Sequence, residues 1–209
     1  MNREEQKGAI SGIENARRYA DEHRKYARLM YRGALKDIKD LGISGCYLEM
    51  GAGPGFLAIT LAKQNPDITI TAVDLSPDMA AVANEYIGKS KLEDRIHYAV
   101  GDVGDERLLE GLGKFNLVYS TYSLHHWTAP ENSIRNLWDA VEDNGVLYIY
   151  DFKRIGWLGS LPLKGGEIDS VRAACTPDEI KTIFQRIGIT NYRIKPSFPF
   201  LFQSIMAHK

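Results

Sequence analysis

The fold of this chain is decided by the stretch Cys46-Tyr-Leu-Glu49-Met-Gly51-Ala-Gly53-Pro-Gly55-Phe56. An apolar run that ends near an acid is followed by three glycines at alternate positions, and a helical pattern comes next. This order predicts a β-strand, a tight turn and the start of a helix. Glycines at such a turn let the backbone approach a ligand more closely than any side chain would allow. The turn is therefore the predicted centre of a binding site.

Strand and helix patterns alternate after this turn. We predict strands at Cys46–Met50, Ile68–Asp74, Ile96–Val100, Phe115–Thr121, Val146–Asp151, Asn191–Lys195 and Phe200–Ala207. We predict helices at Phe56–Gln64, from Ser76-Pro77, at Glu106–Leu112, from Pro130 with Val141 on its apolar face, and from Thr176. The alternation predicts an α/β fold, with a Rossmann-like, seven-stranded and mostly parallel sheet covered by helices on both faces.

Two regions depart from the alternation. Residues 1–42 are polar and free of proline, and we predict a cap of two helices with a break near Asp21–His23. The cap and residues 43–209 are expected to form a single structural unit. Residues 152–175 contain four glycines and one proline, which predicts a long loop of the kind that is often functional or mobile.

The composition argues against several classes of protein. The 209 residues are 44% hydrophobic and 25% charged, and the formal net charge is −1, so no basic excess indicates a nucleic-acid binder. Two cysteines without a CxxC partner make a disulfide framework or a zinc site unexpected. No apolar run is long enough to span a membrane, and the first residues are charged rather than signal-like, so we expect a cytoplasmic protein.

Basic residues nevertheless crowd the N-terminal segment. We interpret them as a solvated helix face. They are Arg17, Arg18, Arg24, Lys25, Arg28 and Arg32.

Acids follow the predicted strands where parallel sheets bind ligands, outside the carboxyl ends. Asp74 lies nineteen residues beyond Gly55 and can accept hydrogen bonds from ribose hydroxyls, with Leu75 beside it to cover a base. Asp102 follows the third strand and can accept from an exocyclic amine. The alternative is that both acids only cap the next segment. A dinucleotide fingerprint would need glycine at position 56, where Phe56 stands, and Glu49 would repel a pyrophosphate.

These motifs together resemble a known family. They are Glu49-x-Gly51-x-Gly53-x-Gly55, Val73-Asp74-Leu75-Ser76, Gly101-Asp102, and Phe115-Asn-Leu-Val-Tyr-Ser120 with Ser123-Leu-His125-His126. Over about residues 45–151 the chain resembles class I S-adenosylmethionine (SAM)-dependent methyltransferases. It is most similar to the small-molecule branch that includes the ubiquinone and menaquinone biosynthesis enzymes.

The resemblance implies SAM as the cofactor and S-adenosylhomocysteine (SAH) as the product. It places the Gly51–Gly55 turn at the methionine part of SAM, Asp74 at the ribose, and Asp102 with Val103 at the adenine. The full set of cofactor residues that it implies is Glu49, Gly51, Ala52, Gly53, Gly55, Asp74, Leu75, Met79, Gly101, Asp102, Val103 and Ser120.

Methyl transfer from a sulfonium needs an in-line nucleophile and tight orientation, and a base only where the nucleophile must lose a proton. His125 is our first candidate for that base, and Tyr122 is the alternative or a hydrogen-bond donor to the acceptor. His126 is a substrate candidate, although it is equally suited to simple packing. The expected substrate-binding residues are Tyr19, Tyr26, His126, Trp127 and Trp157.

The sequence disfavours several acceptors. Methylation of exocyclic base nitrogens goes with an Asn/Asp-Pro-Pro-Tyr/Phe turn after strand four, where this chain has Ser120-Thr-Tyr-Ser. Neither cysteine suits pyrimidine C5 methylation. Asp151 is the only acid after strands four and five, so no metal is expected.

A small-molecule acceptor is therefore the leading hypothesis, with no nucleic acid and with a monomer or homodimer expected. The alternatives are a non-catalytic SAM-binding protein, an RNA-modifying methyltransferase that uses the basic N-terminal segment, and a nicotinamide-dependent oxidoreductase, which Phe56 and Glu49 argue against.

Overall fold

A computed structural model describes residues 10–156, 165–197 and 200–209 of the chain. Its strands are β1 (Gly45–Met50), β2 (Ile68–Asp74), β3 (Ile96–Val100), β4 (Phe115–Thr121), β5 (Val141–Phe152), β6 (Tyr192–Ser197) and β7 (Phe202–His208). Its helices are α1 (Ile13–Met30), α2 (Arg32–Leu41), α3 (Phe56–Gln64), α4 (Pro77–Lys89), α5 (Glu106–Leu112), α6 (Pro130–Asp139), α7 (Glu167–Ala173) and α8 (Pro177–Ile187), with a 3-10 turn at Leu124–His126.

The strands form one sheet in the order β3-β2-β1-β4-β5-β7-β6. The first five strands in the chain are parallel to one another, and β7 runs antiparallel to both β5 and β6. The predicted seven-stranded, mostly parallel sheet is confirmed. The direction of chain progression reverses between β1 and β4, which is the point where ligands bind in open sheets of this kind.

Helices cover both faces of the sheet, because successive strand residues point to opposite sides. On one side Leu48 and Val118 pack in a cluster with Leu137 of α6 and Phe184 of α8. On the other side the next strand residues pack in a second cluster with helices α2 and α3. Strands that are apolar on both faces are what a doubly covered parallel sheet requires.

Helix starts follow the local sequence. The Ser76 side chain accepts a hydrogen bond from the Met79 backbone, and Pro77 occupies the first turn of α4. Thr176 and Glu179 form a reciprocal capping box at α8, with Pro177 in its first turn. These local signals explain why the predicted starts of both helices are confirmed.

Two predicted helix boundaries and one predicted loop differ from the structure. The break in the N-terminal helices lies at Tyr31 and not at Asp21–His23. Residues 21–23 continue α1, whose apolar face packs in one cluster with Met79 and Val82 of α4. Val141 belongs to β5 rather than to the preceding helix, because it pairs with Phe115 of β4.

The third correction concerns the predicted loop at residues 152–175, which contains the short helix α7. Val171 of this helix is buried against Phe152, and Glu167 and Asp169 stand in its first turn, where acids favour a helix. Buried contacts that the sequence pattern did not show therefore order this part of the segment.

Helix α1 is attached to α4 by polar contacts. The Gly12 backbone donates to Asp78, and Arg17 makes a bidentate ion pair with Glu85. Among the residues that the structure describes, no helix is long and apolar enough to cross a membrane. Residues 1–9 lie outside the described ranges, so the cap at 1–42 and the unit at 43–209 remain predictions.

Candidate functional site

The glycine turn joins β1 to α3 and places its backbone at the edge of the sheet. Gly51, Gly53 and Gly55 all have positive φ, at 74°, 53° and 73°. A Cβ on Gly51 would lie 2.2 Å from Ser123 Oγ, whereas a Cβ on Gly53 would meet no atom within 4 Å. Gly51 is therefore needed for packing against the loop after β4, and Gly53 faces open space.

Asp74, the last residue of β2, is tied to this turn. Its carboxylate accepts hydrogen bonds from the backbones of Gly53 at 2.8 Å and Ser76 at 2.9 Å. Burial raises the pKa of Asp74 above its usual value, against the lowering effect of these hydrogen bonds. Asp74 thus fixes the turn and the start of α4, which is the capping role that the sequence left open, and it also faces a cavity.

That cavity lies at the carboxyl ends of β1–β4 and has a volume of about 750 Å³. Eight of the predicted cofactor residues line this cavity, and they are Gly51, Gly53, Asp74, Leu75, Met79, Gly101, Asp102 and Val103. They come from three successive strand ends and the start of α4. The structure brings these eight residues together at one cavity.

The other four predicted cofactor residues do not line this cavity in the described part of the chain. Ser120 is buried and donates to the Met50 carbonyl at 2.7 Å, so it joins β4 to β1. Ala52 is buried within the turn, and Gly55 precedes the first residue of α3. Glu49 is buried beneath the turn and accepts from the Tyr119 hydroxyl at 3.1 Å.

The environment of Glu49 changes its ionisation. Burial raises the pKa of this carboxyl to about 8, and the hydrogen bonds from Tyr119 and the Ala58 backbone only partly oppose the shift. The carboxyl is therefore mostly protonated at neutral pH. The predicted repulsion of a pyrophosphate by Glu49 requires the ionised carboxylate, whereas burial favours the neutral form.

The two adjacent histidines after β4 have different surroundings. His125 is buried, and the Asp151 carboxylate lies 2.7 Å from its Nδ1 and accepts from its backbone N–H at 2.8 Å. His126 is exposed and lines the cavity, whereas His125 is not among the described lining residues. Asp151 near the end of β5 therefore holds His125, the predicted base, while its neighbour His126 lies at the cavity.

Tyr122 lines the same cavity and has an unusual backbone, with φ at 54°. Its hydroxyl donates to the Met30 carbonyl at 2.8 Å, and its ring packs edge-on against Tyr150 and Phe202. Burial raises the pKa of the phenol. At neutral pH the hydroxyl is therefore protonated, which suits a hydrogen-bond donor better than a base.

The predicted aromatic wall is found in part. Tyr19 and Trp127 line the cavity, and Trp127 Nε1 donates to Ser123 Oγ at 3.0 Å. Tyr26 is exposed on α1 and is not among the described lining residues, so the structure does not place it in the wall. Trp157 lies outside the residues that the structure describes.

Several site residues were not predicted. Ile10, Ser123 and Ser133 also line the cavity, and the Tyr98 hydroxyl donates to the Gly53 carbonyl. Ser123 stands within a motif that the sequence analysis quoted, whereas no pattern distinguishes Ile10 or Ser133. No cluster of three or more His, Cys, Asp or Glu side chains that could bind a metal occurs within the described ranges.

A second cavity of about 770 Å³ lies between the starts of α6 and α8, where Pro130 and Thr176 are found. No strand end lines it in the described structure. Ligands of open parallel sheets bind at strand ends. We therefore take the cavity beside the glycine turn as the functional site.

Comparisons with known proteins agree with this geometry. Residues 48–147 match a family model described as a methyltransferase domain. A malonyl-[acyl-carrier protein] O-methyltransferase from Geobacter sulfurreducens is 29% identical over 157 residues, which cover 70% of this chain and 56% of that protein. The chain spans only 26% to 56% of the length of the first curated relatives that it matches.

Solved structures share the fold across nearly the whole chain. A putative SAM-dependent methyltransferase from Methanococcus maripaludis superposes with a TM-score of 0.72 at 21% identity and covers 98% of this chain and 97% of its own. PigF with SAH superposes with a TM-score of 0.74 at 18% identity, over 95% of this chain and 60% of its own. Residues 48–147 are thus similar to a methyltransferase domain, and the chain shares the fold of solved SAM-dependent methyltransferases.

Proposed function

We propose that the chain binds SAM in the cavity at the strand ends and transfers its methyl group to a small-molecule acceptor by in-line displacement. The observation that carries the proposal is the convergence of Gly53, Asp74 and Asp102 on one cavity. An open glycine backbone beside two carboxylates suits a nucleoside with a flexible, positively charged tail. It suits a pyrophosphate poorly, because the carboxylates would repel it.

In this proposal the ribose hydroxyls donate to Asp74, which already accepts from Gly53 and Ser76 and is fixed in position. Charge-assisted hydrogen bonds of this kind are among the strong ones. Leu75 and Met79 lie against the adenine. Asp102, which accepts from the Gly104 backbone at 2.7 Å, takes the exocyclic amine, with Val103 beside it.

The methionine part of SAM lies along Gly51 and Gly53, directly above Glu49. A cationic ligand there favours the ionised form of a neighbouring carboxyl. Because burial raises the pKa of Glu49 to about 8 in the empty protein, SAM binding is coupled to loss of this proton. A neutral Glu49 in the empty site and a carboxylate in the complex give the site a preference for a sulfonium.

The acceptor side is formed by Tyr122, Ser123, His126 and Trp127. Positioning alone supplies much of the rate in such reactions, since effective molarities for well-oriented groups reach about 10⁵ M. We assign the base role, where the acceptor needs one, to His126. The Tyr122 hydroxyl, which donates a hydrogen bond to the Met30 carbonyl, holds the ring beside the acceptor, and His125 with Asp151 positions the turn that carries both groups.

Oxygen is the acceptor atom that we test first, because the Geobacter relative is named for O-methylation. The cytoplasmic location and the monomeric or homodimeric state remain predictions from the sequence. Non-catalytic SAM binding and RNA modification remain the alternatives, and the experiments below distinguish them.

Calorimetric titration with SAM and SAH tests the cofactor site. We expect Asp74→Ala to weaken SAM binding about 100-fold, since hydrogen bonds to charged groups contribute about 1.5–3 kcal/mol each. Asp74→Asn, which keeps one acceptor oxygen, should fall between wild type and Asp74→Ala. Asp67→Ala removes an exposed acid just before the other end of β2 and serves as the matched control. Equal SAM affinity in wild type and Asp74→Ala would contradict the assigned ribose contact.

Transfer of a labelled methyl group from SAM into fractions of a cell extract tests the reaction. A labelled small molecule in the wild-type sample, and roughly 10²-fold less label with His126→Ala at unchanged SAM affinity, is the expected result. SAM binding without labelled product in any fraction would support the non-catalytic alternative. Label that appears in RNA would support the RNA-modifying alternative.

A further inference from the structure

The described chain has only a few large apolar side chains that are well exposed, and three of them lie at the edge of the sheet where the cavity opens. Leu75 follows β2 and Val100 ends β3. Phe200 precedes β7, whose first residue Phe202 pairs with Phe152 at the end of β5. The exposed set is Tyr26, Leu29, Leu75, Val100 and Phe200.

The end of α1 belongs to the same edge. Tyr122, which follows β4, donates to the carbonyl of Met30, the last residue of α1. The Tyr122 ring also contacts the rings of Tyr31 and Phe202. Leu29 and Phe200 are each two residues away in sequence from one of these two partners, so both belong to the chain segments around Tyr122.

Cations accompany the apolar residues of α1. Lys25 and Arg28 stand three residues apart on α1, which places them on the same side of that helix as Tyr26 and Leu29, and Arg32 begins α2 just beyond the break at Tyr31. All five are exposed, Leu29 to 72% and Tyr26 to 62%. We call Lys25, Tyr26, Arg28, Leu29 and Arg32 the rim patch.

Nothing in the described structure neutralises the rim patch. Its three cations make no ion pair within residues 10–156, 165–197 and 200–209, whereas Arg17 on the same helix pairs with Glu85. No acidic residue stands between Glu22 and Asp37 in the sequence. A chain with a net charge of −1 therefore carries a local cationic surface beside its cavity.

We propose that the rim patch, together with Phe200, docks the protein on an anionic lipid bilayer with the cavity mouth facing the membrane. Anionic headgroups match the unpaired cations, and interfacial tyrosine and leucine side chains enter the boundary with the acyl chains. The inference adds a location for the acceptor to the proposed function. The acceptor would reach the cavity from the membrane surface.

A bilayer fits these residues better than a folded partner or RNA. Leu29, Tyr26 and Phe200 project outward, and a bilayer accepts protruding apolar side chains without a matching pocket. RNA offers phosphates to the cations but no apolar environment for Leu29. Cations alone would bind any anionic partner. The exposed apolar residues are therefore what favours a bilayer over RNA or a folded protein.

Co-sedimentation of the full chain with vesicles tests the proposal without relying on catalysis. We expect binding to vesicles of phosphatidylcholine mixed with phosphatidylserine, little binding to phosphatidylcholine alone, and weakening as salt is added. The triple variant Lys25→Gln/Arg28→Gln/Arg32→Gln should bind roughly 100-fold more weakly, since each cation near an anionic surface contributes about a fivefold factor. Tyr26→Ser/Leu29→Ser should also lose most of the binding.

The matched control is Lys63→Gln/Lys89→Gln/Lys91→Gln, which removes the same charge from the opposite edge of the sheet. It should bind as wild type does, and thermal unfolding verifies that all variants fold. Equal losses in the control and rim-patch triples would overturn the proposal, as would absence of binding to anionic vesicles at low salt. Unchanged binding by Tyr26→Ser/Leu29→Ser would also overturn it, because charge alone would then account for the attraction.

Discussion

The side of the cavity that we propose for the cofactor, at the ends of β1–β3, is built from glycine backbone and carboxylates. The side that we propose for the acceptor, beyond β4 and β5, is built from aromatic and histidine side chains. We call them the cofactor side and the acceptor side. On the first side the main polar contact joins Gly53 to Asp74, residues that flank a single helix and strand. On the second side Tyr122 contacts Met30, 92 positions away, and His125 contacts Asp151, 26 positions away.

This difference indicates separate roles. The backbone of the glycine turn has few alternatives once the sheet forms, so the cofactor side is set by the fold itself. The acceptor side depends on a 3-10 turn, the end of α1 and the end of β5 packing together. We therefore expect substitutions on the cofactor side to change SAM affinity or the state of the empty site, and those on the acceptor side to change methyl transfer.

The largest effect that we expect on the cofactor side is from Glu49→Gln. Burial raises the pKa of Glu49 from 4.5 to about 8, so folding takes up a proton that the unfolded chain releases above pH 4.5. The wild-type protein should accordingly lose stability as pH rises from about 4.5 toward 8. Glu49→Gln removes this loss and should raise the free energy of unfolding by on the order of 3 kcal/mol at pH 7 and less at pH 5.

Urea unfolding at the two pH values measures this effect, with the exposed Glu110→Gln as the matched control. The control should change the free energy of unfolding by the same small amount at both pH values. If Glu49→Gln were destabilising at pH 7, the buried carboxyl would be stabilised by its partners rather than strained by its burial. SAM affinity should fall in the same variant. That result would show that the buried carboxyl of Glu49, which lowers the stability of the protein, strengthens SAM binding.

A smaller effect distinguishes two glycines of the same turn. Alanine at either position has an unfavourable positive φ, which costs about 1–2 kcal/mol. Alanine at position 51 additionally overlaps Ser123, and overpacking of that kind costs about 1–3 kcal/mol. Gly51→Ala should therefore be about 2 kcal/mol less stable than Gly53→Ala in urea unfolding.

In ligand binding the order of the two variants should be reversed, with Gly53→Ala losing more SAM affinity than Gly51→Ala. The methyl group of Gly53→Ala would point into open space that SAM is proposed to fill, so SAM affinity should fall with little loss of stability beyond the backbone cost. Equal stabilities of the two variants would mean that Ser123 moves aside. The two sides of the cavity would then be less tightly packed against each other than the structure indicates.

The sequence predicted which residues meet at the ends of β1–β3 for a physical reason. Strand periodicity, the glycine spacing and the acid after each strand are local features, and the parallel sheet then brings the strand ends together. Eight of the predicted residues line the cavity as a result. The exceptions include Glu49 and Ser120, which are buried against the neighbouring strand. Their burial depends on packing that local patterns do not specify.

The acceptor side shows where local reasoning ends. Adjacent histidines in a 3-10 turn have no periodicity that says which one faces inward. The choice is made by Asp151, which comes 26 positions later and binds His125. The helix break at Tyr31 has a similar cause, because α2 turns there to pack Ala34 and Ile38 onto the sheet and no local pattern marks that turn.

The smallest effect that we expect is from Tyr122→Phe, on the acceptor side. The substitution keeps the ring among its aromatic neighbours but removes the 2.8 Å hydrogen bond to the Met30 carbonyl, which should cost about 1 kcal/mol of stability. Because this bond joins the end of α1 to the loop after β4, methyl transfer should slow while SAM affinity stays within about twofold of wild type. Tyr26→Phe alters an exposed residue of α1 and is the matched control for both measurements. A loss of SAM affinity in Tyr122→Phe as large as that in Gly53→Ala would show that the two sides of the cavity do not act separately, since a contact 92 positions apart would then govern the cofactor as well as the acceptor.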